Sequence, residues 1–137
     1  MKKVLVVLAV LAITVVNVSA QVTSQGKPKV LKSFRLGVCK LIDTNGSITI
    51  EAQTKESANY NLIVHLGTPE EAEATLASLA EYKPSKGETV NLNNPGGNTA
   101  HFQKLNGVWV IEETIGKYFS IAVSRGELRK MAEALAE

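Results

Sequence analysis

His101 and Glu112 are the side chains in this sequence best suited to carry chemistry. Two strand-like runs flank Asn106-Gly107, a dipeptide that favours a tight hairpin because both residues tolerate positive φ. A two-residue turn there sets His101 opposite Glu112 on one face. It sets Phe102 opposite Ile111, with Trp109 beside them, on the other. A carboxylate-held imidazole makes a general base of fixed ring orientation whose imidazolium is stabilised. The same two residues also make an ordinary polar pair on a solvated sheet face. That plainer reading is favoured, because no nucleophile with a local signature accompanies them, and no catalytic residue is assigned.

Three other features bear on function. Cys39 lies mid-strand between Val38 and Lys40 with no histidine beside it, the setting of a small buried apolar side chain rather than a reactive thiol. Asn93-Asn94-Pro95-Gly96-Gly97-Asn98 is the most loop-like stretch; its glycines expose backbone N–H groups, but the Gly-Lys-Ser/Thr ending of a phosphate loop is missing. His65, His101 and Glu112 do not fall at any standard metal-ligand spacing. No metal or cofactor is therefore implied. Asn45-Gly46-Ser47 matches a glycosylation sequon at a hairpin tip, which in a bacterial protein signifies only a turn.

The inventory excludes whole classes of mechanism. The chain has 137 residues, one cysteine, two histidines and a single aspartate, Asp43. Paired-cysteine zinc sites, disulfide frameworks, aspartate dyads and DxDxDG calcium loops all need residues that are not there.

The elements that position these residues follow from periodicity and punctuation. Strands are expected at about 34–42, 47–53, 60–66, 88–92, 100–105, 108–113 and 118–124, and helices at about 69–82 and 125–136. Asn45-Gly46 joins the first two strands; a two-residue turn pairs Lys40 with Glu51, Leu41 with Ile50 and Cys39 with Ala52. The near-continuous apolar run from Tyr60 to Leu66 suggests a central strand covered on both faces. Thr68-Pro69-Glu70-Glu71 and Ser124 with Glu127 are two capping boxes. No internal repeat is evident beyond the recurrence of Asn-Gly hairpins. These elements imply an α+β domain: a mostly antiparallel curved sheet or half-barrel of about seven strands, with two helices packed on one side.

The first twenty residues read as an export signal. Lys2 and Lys3 precede an unbroken apolar run from Val4 to Ile13, and Val18-Ser19-Ala20 supplies small residues for cleavage after Ala20. The run ends at Asn17, short of the roughly 20 residues that span a bilayer. Residues 21–29 read as a flexible tether and 30–137 as one domain. Without Lys2 and Lys3 the chain carries 13 basic and 13 acidic side chains, so the formal +2 belongs to the signal. A neutral chain with no block of like charge, and with inward-facing aromatics, has no electrostatic reason to bind nucleic acid or an anionic membrane.

The expected protein is thus a small periplasmic or secreted, non-enzymatic binding domain, monomeric or homodimeric, whose partner is a protein or small ligand. Its expected contacts are Asn93, Asn94, Gly96, Gly97 and Asn98 in the loop, and the face carrying His101, Val108, Val110 and Glu112, where both valines stand exposed in the register above. Two alternatives are a hydrolase or isomerase built on His101 and Glu112, and a secreted peptidase inhibitor presenting the loop.

Overall fold

The computed structural model describes residues 26–137. The expected signal segment and the first part of the expected tether lie outside the described residues. Eight strands form two antiparallel sheets of four, ordered β1-β2-β3-β4 and β5-β6-β7-β8. The first comprises β1 (Lys29–Phe34), β2 (Cys39–Thr44), β3 (Ser47–Gln53) and β4 (Asn61–Gly67); the second comprises β5 (Thr89–Asn91), β6 (Thr99–Gln103), β7 (Val108–Glu112) and β8 (Ser120–Ser124). A helix follows each sheet, α1 (Pro69–Glu81) and α2 (Arg125–Ala136). The α+β class holds, with two sheets in place of one curved sheet.

The extra strand comes from a break in the first apolar run. Arg35, Leu36 and Gly37 all have positive φ, near 52°, 57° and 88°. This left-handed turn folds Phe34 back opposite Cys39, making a β1–β2 hairpin where one long strand is expected. Gly37 is the natural residue for such a turn; Arg35 and Leu36 adopt a conformation that ordinary side chains resist. Arg35 is held there from outside the turn, donating from Nε to Glu127 (3.0 Å) and from Nη2 to the Ala122 carbonyl (2.9 Å).

The Asn45-Gly46 hairpin has its expected register, pairing Lys40 with Glu51, Leu41 with Ile50 and Cys39 with Ala52. The Gly46 N–H is bound by Asp43 Oδ1 at 2.7 Å, so the lone aspartate stabilises the turn. β4, by contrast, is an edge strand. Its inward residues Leu62, Val64 and Leu66 are buried, whereas Ile63 is 48% exposed. Its apolar run therefore reflects one buried face plus Ile63 on the outer face, not coverage on both sides.

Both helices start at the expected capping boxes, Thr68 with Glu71 and Ser124 with Glu127. Each such cap is worth about 1 kcal/mol. α1 buries Ala72, Leu76, Leu79 and Ala80, and α2 buries Leu128, Met131 and Ala132. The two helices pack on each other, and a single core gathers these residues with the inward faces of both sheets. No described helix is long and apolar enough to cross a membrane.

The element order is the same in both halves, four antiparallel strands and then a helix. This architectural repeat escapes the sequence because the halves differ in loop and strand length: Tyr60 and Phe119 are further apart along the chain than the two cap residues, Thr68 and Ser124. The halves also differ in how their first strands are covered. α2 packs directly against β1, with Leu31 and Phe34 reaching the core. α1 makes no comparable packing against β5.

Candidate functional site

The loop expected to bind is consumed by its own structure. Asn94 and Asn98 are buried. Asn94 Nδ2 donates to the His65 carbonyl (2.6 Å) and to Asn98 Oδ1 (2.9 Å), while Asn94 Oδ1 accepts from the Asn98 N–H (2.9 Å). Asn98 Nδ2 donates to the Glu112 carbonyl (2.9 Å), and the Thr114 hydroxyl donates to the Gly96 carbonyl. These bonds pin β4 of one sheet to β7 of the other. A Cβ on Gly96 would stand 2.6 Å from Asn98 Oδ1, which explains glycine there. Gly97, at φ 67°, makes the turn. In this loop Asn93 and Pro95 keep exposed side chains free of this network.

His101 and Glu112 do meet, by a different route. The β6–β7 connection is a four-residue loop closed by a bond from the Gly107 N–H to the Gln103 carbonyl (2.8 Å), so Gln103 pairs with Val108. His101 therefore lies opposite Val110, and Phe102 opposite Trp109. The register moves by two residues, which preserves the faces. His101 Nδ1 reaches Glu112 Oε1 diagonally at 3.1 Å, with both side chains partly exposed. Val108 is partly covered and Val110 is buried, at 2% exposure, so the face is not the open apolar patch the tighter turn implies. Thr89 and Ala122 are the next neighbours across the sheet. The pair is an oriented imidazole with no nucleophile bonded to it among the described residues.

Cys39 is fully buried, and burial pushes its thiol up to about 11 against the opposing influence of Arg35. It is a poor nucleophile in that state. His65 lies on the outer face of β4, opposite Thr49, and joins neither His101 nor Cys39 in any hydrogen bond or ion pair.

The feature the sequence did not disclose is a groove between α1 and β5. Its main part, about 570 Å³, is lined on one wall by α1, including Thr75, Ser78 and Leu79, and by Tyr82 just after it. On the other it is lined by every residue from Glu88 to Asn93. Side chains alternate faces along a strand, so six consecutive lining residues mean that the edge of β5 forms this wall. A second part, about 460 Å³, extends it through Thr75 and Asn93 to Leu66, Glu71 and Pro95. Tyr82 and Glu88 close the far end by a hydrogen bond from the phenol to the carboxylate. That bond, with a second from the Ser85 N–H, holds the Glu88 carboxyl below the usual range.

The backbone of this wall is set by the pairing on its other side. The Leu92 N–H donates to the Asn98 carbonyl (3.0 Å), in register with the β5–β6 ladder. Antiparallel bonds alternate, so Val90 with Ala100 is the next bonded pair, and Thr89 and Asn91 direct their N–H and C=O groups away from β6. No strand pairs with that edge among the described residues. A short strand suits it, since edges of native sheets are kept short to prevent promiscuous pairing. Which strand ends at an edge is a property of the assembled sheet; from sequence, only the brevity of the Glu88 to Leu92 run hinted at it.

Comparison with protein-family models, with curated proteins and with solved structures gave no match in any of the three.

Proposed function

We propose that this chain is a small exported binding domain that takes an extended segment of a partner polypeptide as an added strand on β5, in the groove beside α1. The observation that carries the reading is the outward backbone of Thr89 and Asn91 along a groove whose facing wall mixes apolar and polar side chains of α1. Main-chain hydrogen bonds to such an edge supply affinity, and pockets for alternate side chains supply specificity. Ala74, Val90 and the Tyr82 ring offer apolar surface there, and Ser78, Asn91 and Asn93 offer polar contacts. The contrast between the halves supports it further: the first strand of the first sheet is covered by a helix, and that of the second is left open. His101 and Glu112 lie outside this groove, which disfavours a hydrolase or isomerase reading. The Asn94–Asn98 loop, tied down by its own amides, is a poor inhibitory loop.

Asn91→Pro tests the proposal. Proline deletes one outward donor and spares the β6 ladder, and it is tolerated on edge strands with the N–H facing out. Binding of extended heptapeptides should fall at least tenfold in this variant with the fold retained by circular dichroism. Unchanged binding would refute strand addition. Export carries its own test: the intact mass of the protein recovered from outside the cytoplasm should correspond to a chain starting at Gln21, and a mass retaining residues 1–20 would count against cleavage.

A further inference from the structure

The charge around the groove specifies the partner further. α1 reads PEEAEATLASLAE, with four carboxylates and no basic residue. Only Glu81 among them meets a cation, Arg129 at 2.6 Å. Glu71 lines the groove at the Pro95 end and Glu88 lines it at the other. Glu70 stands on the helical row that continues through Ala74 and Ser78 along the same wall. It is exposed and makes no hydrogen bond or ion pair among the described residues. No Lys, Arg or His side chain lines either part; Lys83 and Lys86 lie in the connection between the lining residues Tyr82 and Glu88 without lining the groove themselves.

Glu71 is engaged through Oε2 with the Thr68 N–H, and its other oxygen makes no hydrogen bond. Of the two adjacent carboxylates, Glu71 lines the Pro95 end of the groove and Glu70 precedes it on the exposed first turn of α1. A ligand strand crossing that end passes the Glu71 carboxylate, with Glu70 one residue away on the same helical turn and no cation among the lining residues to offset them, apart from the partial positive charge of the helix start. An anionic strand would be repelled there, and a neutral one would leave the field uncompensated.

We infer that the segment held in the α1–β5 groove is a cationic extended peptide, alternating apolar residues that face the groove with Lys or Arg residues that meet Glu70 and Glu71. The inference rests on the strand-addition reading above and adds the chemical class of the partner to it.

The test uses three pools of acetylated and amidated heptapeptides, so that terminal charge plays no part. Each has Val, Leu, Ile or Thr at alternate positions; the intervening positions carry Lys or Arg in one pool, Ser or Asn in the second, and Asp or Glu in the third. Binding to the full chain is read by fluorescence anisotropy. The basic pool should bind about tenfold more tightly than the neutral pool at low salt, and the acidic pool most weakly, as two partly exposed ion pairs would give. The preference should shrink to about twofold in Glu70→Gln/Glu71→Gln and in 0.5 M NaCl. Glutamine at position 71 can still close the capping box, so the helix start is retained. The basic pool must also lose binding in Asn91→Pro. If the neutral or acidic pool binds as tightly as the basic pool while Asn91→Pro abolishes binding, the cationic partner is wrong and the groove reading stands. If no pool binds, or if basic binding is indifferent to Asn91→Pro, the groove reading falls and this inference with it.

Discussion

Tyr60 and Phe119 stack on each other with ring centroids 4.3 Å apart and planes inclined by 28°. They hold equivalent places in the two halves. The Thr54 N–H donates to the Tyr60 carbonyl (2.9 Å) just before β4, and the Glu113 N–H donates to the Phe119 carbonyl (3.0 Å) just before β8. The duplicated architecture thus brings corresponding residues face to face where the sheets meet. Nearby, the Lys55 N–H donates to the Ser120 carbonyl (2.8 Å) and joins the loop before β4 to the start of β8.

The stack should couple the halves energetically. In a double-mutant cycle with Tyr60→Ala and Phe119→Ala, the interaction term should be about 0.5–1.5 kcal/mol, the range for aromatic pairs beyond their buried area. Chemical denaturation of the four proteins measures it. A coupling indistinguishable from zero would mean that the rings touch without holding the sheets together.

Much of this arrangement was legible from the sequence, and the misses have identifiable causes. The Asn45-Gly46 hairpin was readable because a type I′ turn needs two positive-φ residues and the chain supplies them at that point. The same dipeptide at Asn106-Gly107 misled, because Gly107 instead ends a longer loop in which Asn106 Nδ2 bonds the Gln103 side chain (3.2 Å). Both helices were legible from their capping boxes, which are local in sequence. The break at Arg35 to Gly37 was not, because two of its three left-handed residues are ordinary ones, and Arg35 is held by Glu127 and Ala122, from the far end of the chain. His101 and Glu112 were legible as neighbours because a two-residue slip keeps them on one face. The groove depends on which strand lies at an edge and how far α1 stands from it, and neither is encoded in a local pattern.

Glu56 should make stability depend on acid. Burial acts to raise its carboxyl pKa, but hydrogen bonds from the Ser120 hydroxyl (2.8 Å) and N–H (2.6 Å) outweigh it and hold the group below the usual range. A pKa depressed in the folded state contributes stability above the unfolded value, and that contribution is lost as pH falls through the folded value. Glu56→Gln should therefore narrow the difference in denaturation midpoint between neutral and strongly acidic pH, with the larger loss at neutral pH. A variant whose acid limb overlays that of the parent protein would exclude Glu56 as a source of it.

Cys39 should behave as a core side chain. With a fully buried sulfur and a thiol raised to about 11, native protein should react with a thiol reagent orders of magnitude more slowly than protein unfolded in denaturant. The rate should track opening of the structure. Cys39→Ser should cost more stability than Cys39→Ala, because a hydroxyl buried opposite Ala52 has no apolar reason to be there. Rapid native labelling would show that the β1–β2 hairpin opens readily.

Gly96 and Gly107 separate packing from backbone conformation. Gly107 has φ near 65° and open space around its missing Cβ, so Gly107→Ala should cost about 1 kcal/mol through the left-handed backbone alone. Gly96 lacks positive φ, yet its Cβ would meet Asn98 Oδ1 at 2.6 Å and Asn94 Nδ2 at 3.2 Å. Those atoms belong to buried amides whose bonds tie β4 to β7, so they have nowhere to retreat without leaving a donor or acceptor unpaired, at about 1–3 kcal/mol each. Gly96→Ala should therefore destabilise the protein more than Gly107→Ala does, and it should be non-additive with Asn94→Ala, which removes the same network. Equal effects of the two alanines, or full additivity with Asn94→Ala, would show that the loop yields freely and that the amide network does not join the sheets.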